Sequence, residues 1–296
     1  VEGISVAGFM FGPVLGGLCA DYLGNQESFW VISFLSAANL VITVVTFPET
    51  LPVHARRPFS WVRANPFASL LLWLRTRTVL MFGIILVAAG FGVGGGDSIR
   101  NLYILRVTDV SGTMLGMLQT ISLVAGCVGL IVFMPLLSRC FQLQYVMALA
   151  MLNNAVVCLL RAVAISKVQF TVTMAVGFLR SCHLPIVRTG MTTTFGHECY
   201  GESLAAVAVV EQIVSMVAPV IFTTIYEHTL DTSLGPIRCI SFLVAALCCL
   251  VGVFASISID KMPTDRRTDE DAETSLDTIN GSDCNRSSEG QRQESR

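Results

Sequence analysis

Eight long apolar runs constrain the fold of this chain more than any other feature of its sequence. An α-helix needs about 20 mostly apolar residues to cross the hydrocarbon core of a bilayer. Each of the eight runs is close to that length. The sequence therefore predicts an all-α membrane protein with eight spans. The predicted spans are 1–20, 29–47, 79–99, 114–137, 144–164, 170–192, 204–226 and 237–257.

The composition agrees with a membrane protein and excludes several other classes. Apolar residues make up 53% of the chain and charged residues 14%, whereas a soluble domain carries roughly a quarter charged residues. The net charge of −2 indicates no nucleic-acid partner. The ten cysteines lie mostly inside apolar runs without metal-ligand spacing, where cysteine behaves as a small hydrophobic residue. We expect no disulfide framework, no metal and no cofactor.

The apolar runs divide the chain into four regions. Residues 1–47 hold two predicted spans, 48–78 form a polar loop, 79–259 hold six spans, and 260–296 form a polar tail that we expect to be disordered. The chain opens with Val1 inside an apolar run. We therefore interpret it as truncated. Two spans, a longer loop and six spans are the count expected if helices 5–12 of a twelve-helix transporter are present, and we expect such a fragment alone not to transport.

Basic residues predict the orientation of the spans. The loop 48–78 contains five arginines and a single acidic residue, Glu49, which is typical of a cytoplasmic loop. Eight alternating spans then place the tail 260–296 in the cytoplasm as well. The turn around Arg161 and Lys167 falls outside, and this weakens the pattern without reversing it.

A few ionisable or strongly polar residues lie within the predicted spans. Such residues are costly in a membrane, and they usually face a cavity or a partner. They are therefore the first candidates for a functional site. They are Glu2, Asp97, Arg100, Arg180, His183, Arg188, Glu211 and Gln212.

The span 170–192 carries three of these residues. In one continuous helix, Arg180, His183 and Arg188 share an arc of about 140°. This cationic face could hold an anionic substrate or bind carboxylates from other helices. The alternative is a purely structural ion pair, or an Arg188 that extends to the cytoplasmic headgroups.

The span 204–226 carries a candidate proton site. Glu211 has Ser215 one turn along on the same face. A carboxylate in a low-dielectric site can take up and release protons near neutral pH. The alternative is a Glu211 that is paired with an arginine and never titrates.

Glycine is concentrated in two spans. The segment GFGVGGGDSIR at 90–100 predicts either a broken helix that exposes its backbone to substrate or, more simply, close packing against a neighbour. Asp97 is a candidate substrate-binding residue there, although it could simply neutralise Arg100 at i and i+3. Prolines, including Pro185 in a later span, predict helix bends that suit either gating or a rigid bundle. The first span has small residues spaced for close helix approach around one proline: Gly8, Gly12, Pro13, Gly16 and Gly17.

The first-span pattern G-x-x-x-G-P-x-x-G-G resembles the antiporter motif of drug/proton exporters in the major facilitator superfamily. Other stretches are more similar to the proton-coupled folate transporter family, solute carrier family 46. They follow the order and spacing of that family over nearly the whole chain except the tail. These stretches are VEGISVAGFMFGPVLGG, SFWVISFLSAANLVITVVTFPETL, DSIRNLYILR, LPIVRTGMTTTF and TTIYEHTL.

This resemblance implies a major facilitator superfamily fold of twelve helices in two six-helix halves. It also implies transport of organic anions, often driven by a proton gradient, at the plasma membrane or in endolysosomes. Glu2 would correspond to a proton-coupling glutamate of the fifth helix, and Arg188 to a substrate- and proton-linked arginine of the tenth. Val93 stands where folate-carrying members have a histidine, which leaves solutes other than folate open.

The leading hypothesis is a proton-coupled symporter of an organic anion that works by alternating access. Arg188, with Arg180, His183 and Asp97, would bind the solute, while Glu2 and Glu211 would bind the proton. One alternative is a drug/proton exporter of the same superfamily, and another is a non-transporting membrane receptor or adaptor. An enzyme is not indicated, because no nucleophile–base pair or metal-ligand set occurs in the spans.

Overall fold

The computed structural model describes residues 2–46, 70, 72–195, 200–229 and 239–259, with side chains described from residue 11 onward except at 25 and 200. Most of these residues are helical, and no strand occurs among them. The tail 260–296 and residues 48–69 and 71 of the predicted loop 48–78 lie outside the described residues. Their predicted cytoplasmic location therefore stays a prediction.

Seven stretches of the described chain are long and apolar enough to cross a membrane. They correspond to the second to eighth predicted spans; the first predicted span is helical as well, but it is not one of the seven. The predicted all-α membrane architecture is confirmed. The helices are α1 (Glu2–Leu23), α2 (Asn25–Thr46), α3 (Arg77–Val107), α4 (Gly112–Cys140), α5 (Leu143–Val163), α6 (Lys167–Val176), α7 (His183–Phe195), α8 (Tyr200–Thr229) and α9 (Ile240–Ile257).

The most buried part of the bundle lies where α3, α5 and α9 meet. Phe82 of α3, Met147 and Met151 of α5, and Phe242 of α9 are fully buried. By contrast, α2 presents Phe29 and Trp30 at its surface, each 71% exposed. Apolar side chains on such a surface suit contact with lipid or with further helices.

The glycine-rich segment of α3 is continuous rather than broken. It forms a π-helical turn at Gly90–Gly95 and re-enters the α-helix at Gly96. A side chain at Gly92 would collide with the thiol of Cys249 and the backbone of α9. One at Gly95 would collide with the ring of Phe222 on α8. Gly92 and Gly95 therefore allow α3 to pack closely against α9 and α8.

The packing predicts a difference between two neighbouring glycines. Gly92→Ala should lower the free energy of unfolding by about 1 kcal/mol through overpacking against α9. Gly94→Ala should leave it unchanged or raise it slightly, because nothing lies within 4 Å of the added methyl group. Thermal unfolding of the detergent-purified variants measures both changes. Equal effects at the two positions would contradict this packing.

Helix α1 packs closely against α4, but only part of the predicted glycine pattern takes part. Gly17 meets the backbone of Gly112, and the carbonyl of Pro13 meets Gly116. The Asp21 carboxylate accepts hydrogen bonds from two backbone amides at the start of α4, at 2.9 and 2.7 Å. Helix α1 thus caps the N-terminus of α4.

Two other glycines of the pattern make no such contact with the described residues. At Gly12 and Gly16, a Cβ atom added to the backbone would have no other atom within 4 Å, so their predicted role in close packing against the described helices is wrong. Helix rotation explains this, since only the face carrying Gly17 and the Pro13 carbonyl points at α4. Gly8 lies among the residues whose surroundings are not described.

The predicted span 170–192 is not one helix. Helix α6 ends at Val176, a 3₁₀ turn follows at Gly177–Leu179, and α7 begins at His183. Pro185 therefore lies in the first turn of α7, where its missing N–H costs nothing. The predicted bend inside a continuous helix is replaced by this break, which lies before the proline.

Candidate functional site

A cluster of charges lies directly after the π-helical turn of α3. The Asp97 Oδ1 atom accepts hydrogen bonds from Arg100 Nη1 and Arg161 Nη1, each at 3.0 Å. The Oδ2 atom accepts a third, from Arg180 Nη2. The three arginines come from α3, from α5 and from the break between α6 and α7. One carboxylate thus joins three parts of the fold.

Neutral groups complete the surroundings of these arginines. Arg100 also donates to the side-chain oxygen of Gln119, and Arg180 donates to the Ser122 hydroxyl at 3.1 Å, so α4 takes part as well. Arg161 directs Nη2 towards the sulfur of Met174 at 3.6 Å. Its Nε atom is buried and has no hydrogen-bond partner among the described residues. The cluster therefore has unused hydrogen-bond donor capacity.

The cluster carries an excess of positive charge. Three guanidinium groups face one carboxylate, which leaves two positive charges uncompensated among the described residues. The side chains of Arg100 and Arg161 are each 5% exposed, whereas those of Arg180 and Asp97 are 19% and 21% exposed. Arg180 and Asp97 thus form the accessible side of an otherwise buried cationic site.

A second, separate ion pair joins α7 to α8. Arg188 Nη2 donates to Glu211 Oε2 at 3.0 Å, and the two side chains are 49% and 24% exposed. Glu211 is thus paired with an arginine, as in the second of the two alternatives that the sequence left open. Ser215 donates to the carbonyl of Gln212 rather than to this carboxylate, so the predicted polar stripe does not form a network.

The predicted cationic face divides into two parts. Arg180 binds Asp97, while Arg188 binds Glu211 on another helix. The Nδ1 atom of His183 bonds the carbonyl of Arg180 at 2.8 Å, and this bond fixes the start of α7. The prediction of a single 140° arc is wrong, because the 3₁₀ turn and the following break interrupt the regular rotation of 100° per residue.

The structure describes the surroundings of Asp97, one of the predicted site residues, but not those of Glu2, another. Asp97 lies at the centre of the cluster, and its pairing with Arg100 is confirmed, although it is shared with two further arginines. Glu2 is the first residue of α1, and its side chain lies outside the described residues. Its role in proton coupling stays a prediction.

Sequence reasoning misses Arg161, because it places this residue in an external turn. The structure places it in the last turn of α5 with its side chain buried. A signal is present in the spacing of the buried residues of α5, which recur at intervals of four and three as on one helix face. These residues are Met147, Met151, Asn154, Cys158 and Arg161.

A partly accessible group of arginines inside a membrane domain can bind an anion. Guanidinium groups form paired, charge-assisted hydrogen bonds to carboxylates and phosphates, and these bonds are strongest where water is scarce. No protein-family model matches this chain, and no curated protein matches it. The chemistry of the cluster is therefore the evidence for function.

Proposed function

We propose that this protein is a transmembrane transporter that carries a small organic anion together with protons. It works by alternating access within a major facilitator superfamily fold, at the plasma membrane or an endolysosomal membrane. Residues 1–47 supply the last two helices of the first half, and 79–259 supply the six-helix second half. The single observation that carries the proposal is the group of three arginines around Asp97.

The energetic cost of the cluster supports this function. Moving a guanidinium group out of water costs several kcal/mol, and one shared carboxylate compensates only part of that cost for three of them. Apolar side chains would hold these helices together at a lower cost. Ionisable residues inside membrane domains are typically retained for ion or solute binding. An incoming anion would supply the missing negative charge.

The Arg188–Glu211 pair supports a second contact with the solute. Arg188 is half exposed, so an anionic group can compete for it without first unfolding its surroundings. Once Arg188 is drawn away, Glu211 loses its counter-charge and can take up a proton. This exchange suits symport, with Glu2 as a further candidate for proton binding.

Uptake by the full-length protein tests the proposal. Labelled folates, short muropeptides and cyclic dinucleotides are offered to expressing cells at acidic and neutral external pH. We expect acid-stimulated uptake of at least one anion, and a loss of at least about tenfold in Arg188→Ala, since one arginine–carboxylate contact is worth about 1.5–3 kcal/mol. Glu2→Gln should remove the stimulation by acid.

The same assay separates the alternatives. A drug/proton exporter would move solute outwards against an inward proton gradient. A receptor or adaptor would bind an anion without net flux. Uptake that is unchanged by pH, by Arg188→Ala and by Glu2→Gln would contradict proton-coupled symport.

A further inference from the structure

Asp97 occupies the same guanidinium groups that a bound anion needs. Its Oδ1 atom lies between Arg100 and Arg161, and its Oδ2 atom holds Arg180. An anion that approaches from the exposed side of Arg180 must share these hydrogen-bond donors with the carboxylate. Anion binding and the charge on Asp97 are therefore in direct competition.

We infer that Asp97 is the carboxylate whose protonation is coupled to the binding of the anion. This inference rests on the proposed function. A hydronium ion on the acidic side gives its proton to one carboxylate oxygen and leaves as water, while the arginines stay charged. Protonation removes one negative charge and weakens the hold of Asp97 on all three arginines, which then turn to the solute.

The other groups around the cluster do not offer this exchange. Gln119 and Ser122 are neutral acceptors, and His183 bonds a backbone carbonyl rather than an arginine side chain. Within the part of the chain that the structure describes, Arg161 also has the thiols of Cys158 and Cys249 as titratable neighbours. Among the described residues, Asp97 alone bonds the three arginines through a negative charge.

Glu211 is less directly placed for coupling. It bonds Arg188 alone, and that arginine is half exposed to its surroundings. Screening weakens the effect of such a pair on other charges. Asp97 contacts three arginines whose side chains are between 5% and 19% exposed. A change in the charge of Asp97 therefore alters the electrostatic energy of its partners more than a change at Glu211 does.

The sign of the linkage follows from the geometry. A bound anion favours the protonated form of Asp97, and by thermodynamic reciprocity a protonated Asp97 favours a bound anion. Anion affinity therefore rises as pH falls, by up to about tenfold per pH unit for one linked proton. An asparagine at position 97 is neutral at every pH, as protonated Asp97 is.

The test is the pH dependence of binding in Asp97→Asn. Binding of the panel anion that the wild-type protein takes up fastest is measured by calorimetry on the full-length protein at neutral and acidic pH. We expect Asp97→Asn to bind at neutral pH as tightly as the wild type binds in acid, and to lose the pH dependence. Its uptake should no longer be driven by a proton gradient. Asp109→Asn, the same substitution at an exposed carboxylate, should behave as the wild type.

A second variant covers the case in which Asp97→Asn does not fold. Asp97→Asn combined with Arg161→Gln restores the surplus of two positive charges, and it should likewise bind independently of pH. If either folded variant keeps the wild-type pH dependence, Asp97 is not the proton site. If the wild type itself neither binds nor transports any panel anion, the proposed function fails first, and this outcome is distinct.

Discussion

Asp97→Ala is expected to destabilise the protein by about 3–5 kcal/mol, the cost of leaving buried charges without their partner. The substitution removes the only carboxylate bonded to Arg100, Arg161 and Arg180 among the described residues. Three guanidinium groups would then repel one another in a low-dielectric interior. The loss should appear as a lower unfolding temperature and a smaller monodisperse fraction after purification in detergent.

Two matched variants show whether charge or volume causes this loss. Asp109→Ala removes an exposed carboxylate and should change stability by less than about 0.5 kcal/mol. Adding Arg161→Gln to Asp97→Ala lowers the uncompensated charge by one and should recover part of the stability. If Asp97→Ala is as stable as Asp109→Ala, the cluster does not hold the helices together.

Gly116→Leu is expected to separate α1 from α4, at a cost of about 3 kcal/mol, the upper part of the range for overpacking. The new side chain would meet the carbonyl of Pro13 and the backbone of Val14. Backbone atoms cannot move aside as a flexible side chain can. The amide contacts of Asp21 at the start of α4 would weaken with the same displacement. Thermal unfolding and uptake should both fall.

Gly16→Leu is the control for that substitution. Gly16 lies on α1 with no atom within 4 Å of its added carbon, so the same change in volume should have little effect on the described contacts. Comparable losses of thermal stability and uptake in Gly116→Leu and Gly16→Leu would show that the packing of α1 on α4 does not depend on the close approach at Gly116.

The sequence is sufficient to find the spans because bilayer thickness sets a length that apolar runs must reach. The ends of the spans are harder to predict from the sequence. Apolar length predicts that α3 stops near residue 99, yet the helix continues to Val107. Asp97 and Arg100 end the apolar window, although their charges are paired inside the bundle and do not stop the helix.

The site is only partly predictable, because tertiary contacts decide which charges meet. The pairing of Asp97 with Arg100 follows from i, i+3 spacing alone. The contributions of Arg161 and Arg180 do not, since they lie 64 and 83 residues away from Asp97 in sequence. The 3₁₀ turn at Gly177–Leu179 cannot be predicted from the sequence either, because its residues continue the apolar run.

The most direct test of the account compares one transported anion with its neutral carboxamide analogue. The two molecules have nearly the same shape and differ mainly in charge, so their binding reports on the surplus of positive charge around Asp97. We predict that the carboxamide binds at least about tenfold more weakly, the loss of one charge-assisted contact, and that Arg180→Gln removes most of this difference. Equal affinity of the wild-type protein for the two molecules would show that the cluster is not an anion site.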